Sequence, residues 1–252
     1  MPGRAACCAF SWSGFYLGVN AGGGWNDGRS VDLFANSTTP VNLGDSVTQS
    51  RGTIGKFADD GFGFVGGQIG YNHQAGSLVF GVEADIQAAN LHDQINNVRF
   101  SNPNGTFPID GTARYDLDYF GTVRGRIGVA FHHMLVYATG GWAYGRIDYN
   151  VHAFEVGGGL LFESRLRSNN IESGYVVGGG VEYALGSHFS LKLEYQYINL
   201  GHLNVSAPVI RIVAPGIGTQ TDIAHLGAID SDFHTIRLGL NYKFGREPAP
   251  LK

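Results

Sequence analysis

Over residues 233–244, FHTIRLGLNYKF, large apolar side chains take every second position: Ile236, Leu238, Leu240, Tyr242 and Phe244 alternate with Thr235, Arg237, Gly239, Asn241 and Lys243. A two-residue period is that of a β-strand, whose successive side chains point to opposite faces. The pattern recurs upstream. Phe15, Leu17, Val19 and Ala21 alternate with Tyr16, Gly18, Asn20 and Gly22, and Val65, Ile69 and Tyr71 with Gly66, Gln68, Gly70 and Asn72. Phe62 and Phe64 fall on the polar phase, as expected of a strand emerging at a rim. Phe80, Val82, Ala84, Ile86 and Ala88 leave Gly81, Glu83, Asp85 and Gln87 to the other face.

In residues 114–131, Tyr115, Leu117, Tyr119, Val123, Ile127 and Val129 oppose Asp116, Asp118, Thr122, Arg124 and Arg126. Residues 135–149 are less regular, because Trp142 and Tyr144 oppose Tyr137 and Ile147; Arg146 and Asp148 assign the Trp142 phase to the polar side. Tyr175, Val177, Val181 and Tyr183 alternate with Val176, Gly178, Gly180 and Glu182, and Phe189, Leu191, Leu193, Tyr195 and Tyr197 with Ser190, Lys192, Glu194 and Gln196. With their flanking residues the strands run to about 12–15 residues each, longer than the ~5–6 usual in soluble strands and enough to cross a bilayer at a tilt, for which ~9–11 suffice.

The connections alternate long and short. Polar segments without a sustained period occupy residues 27–60, 90–113, 150–172 and 201–232, whereas Gly76-Ser77, His132-His133 and residues 186–188 make tight turns. This rhythm predicts an all-β fold: an eight-stranded antiparallel up-and-down transmembrane β-barrel with four long external loops and short periplasmic turns. The barrel is expected over residues 11–245, with 1–10 a remnant lacking an intact signal peptide and 246–252 a tail.

Composition changes this picture little. Only 15% of the 252 residues are charged, 39 are glycine, and no run approaches the ~20 apolar residues of a membrane helix. With a net charge of −4 and no basic run, nucleic acid is not an expected partner. Cys7 and Cys8 are adjacent, which strains a disulfide, and no Cys/His cluster at ligand spacing accompanies them, so neither a metal nor a cofactor is expected.

The two faces then decide function. Turned inward, the apolar face would give a soluble lipocalin-like ligand carrier whose outer wall is glycine and charge. Turned outward it meets lipid, and Glu83, Asp85, Asp116, Asp118, Asp148, Glu182 and Glu194 enter the lumen with Arg124, Arg126, Arg146, Lys192, Arg237 and Lys243. Eight strands leave a lumen just wide enough for side chains, so these charges are expected to pair into a plug. Inward Gly18, Gly66, Gly70, Gly178 and Gly239 make room for them. A small-solute porin is the alternative.

Enzymatic signals are weak. Gly61-x-Gly63-x-x-Gly66 fits the dinucleotide fingerprint by letter but lacks the preceding strand and following helix. Asp116 and Asp118 share a strand face, yet Arg124 and Arg126 on that face offer them ion pairs. Ser231, Asp232 and His234 come close in sequence, but a single chain does not show whether they group in space. No catalytic residue is assigned.

The FSWSGFYLGVNAG run of residues 10–22, with VGGQIGYN at 65–72, YATGGWAYG at 137–145 and LGLNYKF at 238–244, resembles the alphaproteobacterial 25- and 31-kilodalton outer-membrane protein group, within the porin-like outer-membrane β-barrel superfamily. The resemblance implies a surface-exposed barrel of the Gram-negative outer membrane that contributes to envelope integrity. Its implied partners are outer-membrane lipid and lipopolysaccharide, the insertion machinery and an unidentified ligand of the external loops. Arg237, Gly239, Tyr242 and Phe244 match the terminal signature that the machinery would read.

Overall fold

The computed structural model describes residues 10–26, 30–35, 50–56, 61–96, 99–102, 105–108, 110–157, 160–214 and 218–244. In chain order the strands are β1 Gly14–Trp25, β2 Ser30–Ala35, β3 Ser50–Lys56, β4 Phe62–Ala75, β5 Leu78–Asn96, β6 Arg99–Asn102, β7 Gly105–Pro108, β8 Asp110–Phe131, β9 Met134–Gly157, β10 Leu160–Ala184, β11 Phe189–Ala214 and β12 Gly218–Lys243. The order β1-β4-β5-β8-β9-β10-β11-β12 closes on itself through the β1–β12 pairing, giving eight antiparallel staves. Closure removes the exposed edges that an open sheet would present.

Three tight turns and both ends of the barrel wall lie together. Gly76 and His132 supply the left-handed backbone (φ 65° and 52°) that short hairpins need. The Phe244 amide donates to the Phe15 carbonyl at 2.8 Å, sealing first stave to last. At the opposite end, β2 and β3 extend the wall beside β12, and β6 and β7 form a separate ribbon.

The walls at that end are far longer than the sequence period indicates. Residues 150–172 and 201–232, expected as loops, are mostly strand: β9 reaches Gly157, β10 starts at Leu160, β11 reaches Ala214 and β12 starts at Gly218. Register shifts between Asn199/His202, Asn204/Ser206 and Ala207/Ile210 reset the alternation in β11, which hides its period. The 26 residues of β12 reach about 85 Å at ~3.3 Å each, well beyond a ~25 Å apolar band even when tilted.

The apolar face points outward. Val19 (64% exposed), Ile69, Val82, Ile127, Val177 and Leu238 (55%) form a belt around the barrel, while Arg124 and Lys192 are fully buried within it. The soluble-carrier reading is thereby overturned. Aromatic rings border the belt: Phe15, Tyr71, Tyr183, Phe189 and Tyr242 at the turn end, and Trp25, Trp142, Tyr175 and Tyr195 toward the other. The tyrosines and tryptophans among them, with apolar bodies and polar tips, suit a bilayer interface.

The interior is layered. At the turn end Phe10, Trp12, Val79, Leu135, Tyr137 and Ala184 pack together, with Phe10 and Trp12 edge to face at 4.8 Å. Polar and charged groups fill the middle. Above them Phe62, Phe64, Phe120 and Phe233 make edge contacts (5.3 Å for Phe64–Phe120 and for Phe120–Phe233) beside buried Leu91, Leu117, Ile147, Ile198 and Leu200. Phe62 and Phe64 thus keep to the inner phase of β4; the lumen itself becomes apolar there, and no emergence at a rim is needed. Because Phe120 touches rings from two other staves, Phe120→Ala should lower the unfolding free energy in detergent micelles by about 3–5 kcal/mol, the usual cost of a phenyl-sized cavity. A loss below about 1 kcal/mol would mean the rings are not packed as a core.

Candidate functional site

The middle layer is built by alternation. In β5, Glu83, Asp85 and Gln87 point inward because Val82, Ala84 and Ile86 point outward; β8 contributes Thr122, Arg124 and Arg126 in the same way. From β10 to β12 come Glu182, Ser190, Lys192, Glu194, Gln196, Arg237 and Asn241. Among the described residues, eight charged side chains are buried: Glu83, Asp85, Glu182 and Glu194, with Arg124, Arg126, Lys192 and Arg237. Their formal charges cancel.

Glu83 and Glu194 are the hubs. Glu83 accepts from Arg124 Nη2, from Lys192 Nζ (2.8 and 2.9 Å), from Tyr16 Oη (2.7 Å) and from Arg237 Nη2 (3.4 Å). Glu194 accepts from Arg124 Nη1 (2.8 Å), Arg237 Nη2 (2.5 Å), Tyr137 Oη (2.5 Å) and Gln196 Nε2 (2.7 Å). Asp85 takes Thr122 Oγ1 (2.8 Å), Arg124 Nη2 (2.7 Å) and Arg237 Nη2 (3.1 Å). Glu182 takes Arg126 Nη2 (2.8 Å), Ser190 Oγ (2.5 Å) and Asn241 Nδ2 (2.8 Å). The Arg126 guanidinium also lies 3.9 Å from the Tyr137 ring centroid. Each carboxylate therefore meets several donors, which is what desolvated charges require.

Asn20, Gln68 and Asn241 form an amide chain along the wall, Asn20 Nδ2 to Gln68 Oε1 and Gln68 Nε2 to Asn241 Oδ1, both at 2.6 Å. Below the charges, the Trp12 amide donates to Gln74 Oε1 (2.8 Å), and Lys243 donates to the Ser11 carbonyl and lies over the Phe10 ring at 4.2 Å. Residues 10–13, ahead of β1, thus fill the turn-end mouth.

Of the thirteen charges expected in the lumen, the structure brings together Glu83, Asp85, Arg124, Arg126, Glu182, Lys192, Glu194 and Arg237. Lys243 lies on the inner phase but at the mouth. Asp116, Asp118, Arg146 and Asp148 are on the outer wall, which corrects their assignment. A register shift between Leu117 and Tyr119 inverts the phase of β8, so Tyr115 and Leu117 turn inward and Asp116 and Asp118 outward. In β9, Ala143, Ile147 and Tyr149 are buried and Trp142 is 51% exposed; Arg146 and Asp148 mark a wall in water there, not the lumen.

Outside, Asp116 accepts from Arg114 Nε (2.8 Å) and lies 2.7 Å from His92 Nδ1, while Asp118 and Asp148 each stand 3.8 Å from Arg146 Nε. Ser231 is buried on the inner face, whereas Asp232 and His234 lie on the opposite phase and His234 stacks on Trp25 at 5.5 Å, so the three do not converge. Arg237 of the terminal signature is a lumen residue, with Gly239 on the same phase; Tyr242 and Phe244 face outward. The alternation gives no role to Tyr16 or Gln68, although both lie on the polar phase between lipid-facing neighbours; Tyr137, read on the apolar phase, is buried in the lumen with Ile147 while Val136 and Trp142 face outward, so the phase of β9 is the reverse of the one expected. For Phe10 and Trp12, ahead of β1, no period was available.

The outer membrane protein β-barrel domain family matches residues 4–244 of this chain. The 31 kDa outer-membrane immunogenic protein of Brucella melitensis is 34% identical over 248 residues, covering 96% of this chain and 88% of that protein. A 22 kDa outer membrane protein of Rhizobium leguminosarum is 31% identical over 191 residues, 75% of this chain and 64% of its own length. Among solved structures, OprG of Pseudomonas aeruginosa aligns with a TM-score of 0.49 at 15% identity, covering 94% of this chain and 99% of that one.

Proposed function

This chain belongs to the outer-membrane protein β-barrel domain family, and from that membership we propose that it is a structural, non-enzymatic barrel with a closed lumen. In this reading the tight turns face the periplasm and the long strands stand outside the cell, where they meet the environment. The eight-charge network carries the proposal. Its members span the lumen from β5 and β8 to β10, β11 and β12, and opening a path would separate desolvated ion pairs. Rings above and the Phe10–Trp12 pair below support closure at both ends.

The belt and its aromatic borders anchor the barrel, so its contribution to the envelope is that of a rigid body set into the membrane. Arg237, Gly239, Tyr242 and Phe244 are proposed as the segment read during insertion. Planar-bilayer recording of the refolded protein is the direct test. We expect no discrete conducting steps; large, stable openings would favour a small-solute porin and overturn the closed-lumen reading.

A further inference from the structure

The staves close on themselves without help from residues 10–13. Their seam is made on the strand side of Gly14, where Tyr16 pairs with Lys243 and the Phe244 amide donates to the Phe15 carbonyl. Residues 10–13 belong to no strand, yet Phe10 and Trp12 are buried against Val79, Leu135, Tyr137 and Ala184, which come from β5, β9 and β10. The chain reaches this seat by turning at Gly14, whose φ of 132° is one that side-chain-bearing residues rarely adopt. A Cβ there would also stand 2.9 Å from the Phe244 carbonyl oxygen. Wall residues then hold the segment: Gln74 Oε1 accepts from the Trp12 amide at 2.8 Å, the Gln74 amide donates to Ser13 Oγ at 2.9 Å, and Lys243 Nζ donates to the Ser11 carbonyl. The fit is incomplete. The Trp12 indole N–H is buried without an acceptor, an unmade hydrogen bond that weakens its seat.

From these contacts we infer that residues 10–13 are a plug hinged at Gly14, docked into the turn-end mouth and not built into the wall, which leaves its seat without breaking a strand pairing. Side-chain anchors and ring packing hold it, whereas each stave is held by a continuous ladder, so the plug opens at far lower cost than the barrel. When it swings out, water reaches Val79, Ala184 and the Tyr137 ring. It stops at the charge network, because Tyr137 Oη is bound to Glu194 at 2.5 Å and Arg126, over the Tyr137 ring, is bound to Glu182 at 2.8 Å. The mouth then becomes an apolar vestibule with Gln74 and Lys243 at its rim, a seat whose occupant in the closed state is the chain's own aromatic-x-aromatic segment. The inference deepens the closed-lumen reading by placing a second, removable barrier below the charges, and it holds whichever end of the barrel faces the cell exterior.

The test is thiol accessibility in the folded full chain in detergent micelles, with Cys7 and Cys8 replaced by serine and Val79→Cys as a reporter behind the plug. A charged, water-soluble methanethiosulfonate should label this reporter while the unboiled gel band stays at its folded position. Phe10→Ala/Trp12→Ala should speed labelling about tenfold or more, since both rings leave the seat. Gly14→Ala should do the same with both rings intact, and Gln74→Ala, which removes one acceptor, should speed it about fivefold. Leu117→Cys, a buried reporter above the network, should stay unlabelled throughout. Labelling rates within about twofold of the parent in all three variants, or parent labelling only in step with loss of the folded band, would overturn the plug. So would loss of that band in Phe10→Ala/Trp12→Ala, which would make the segment part of the wall. Planar-bilayer recording keeps this inference apart from the closed-lumen reading. Phe10→Ala/Trp12→Ala should still show no discrete steps; steps confined to that variant would uphold the plug while overturning closure by the charges.

Discussion

Glu194→Ala should remove about 3–5 kcal/mol of unfolding free energy, measured by urea denaturation in detergent micelles, because breaking a buried ion pair strands its partner charge. Here Arg237 loses its nearest acceptor, Arg124 loses one of its three carboxylate partners, and Tyr137 Oη loses its carboxylate at 2.5 Å. Residual pairing of Arg124 with Glu83 and Asp85 limits the damage. Adding Arg237→Ala to Glu194→Ala should cost less than the two single losses summed, since the groups share one network. Asp148→Ala, a partly exposed carboxylate 3.8 Å from Arg146 on the outer wall, should cost no more than about 1 kcal/mol. Equal losses at Glu194 and Asp148 would contradict the division between lumen and surface charges.

A second large effect is expected from two adjacent glycines. A Cβ on Gly66 would fall 2.2 Å from the Ile86 carbonyl oxygen and 2.9 Å from Gln87 Cα, both backbone atoms that no rotamer change can move aside. On Gly67 the nearest contact is the Gly18 carbonyl at 3.6 Å, with open space beyond. Gly66→Val should therefore force β4 from β5 and cost at least about 1–3 kcal/mol, seen as loss of the folded, faster-migrating band in unboiled gels. Gly67→Val, which adds a methyl pair to the lipid-facing belt, should fold within about 0.5 kcal/mol of the parent. The reverse ranking would mean that the faces of β4 are interchanged.

The two faces of β4 show why much of this fold was legible in the chain. Lipid on one side and a narrow polar lumen on the other impose a strict two-residue period, so Val65, Ile69 and Tyr71 separate from Gln68 and Asn72 by position alone. The period fails where its cause fails. Beyond the aromatic border no lipid faces the wall, and a charged residue there no longer marks the lumen: Arg146 and Asp148, read as inward, face water. One extra residue at Leu117/Tyr119 is enough to turn Asp116 and Asp118 out, and a single chain carries no local mark of such a shift. The same limit hid the upper parts of β11 and β12, where three shifts interrupt the pattern. Phe62 and Phe64 looked out of phase only because the lumen was taken to be polar throughout its height.

The account stands on the apolar face meeting hydrocarbon, and nitroxide accessibility in a bilayer measures that contact directly. Spin labels at Leu238, Ile127 and Val19 should relax strongly with dissolved oxygen and weakly with a water-soluble nickel chelate, while a label at Arg146 should show the opposite order. A label at Leu238 shielded from both reagents, or reached mainly by nickel, would contradict the outward orientation of the apolar wall.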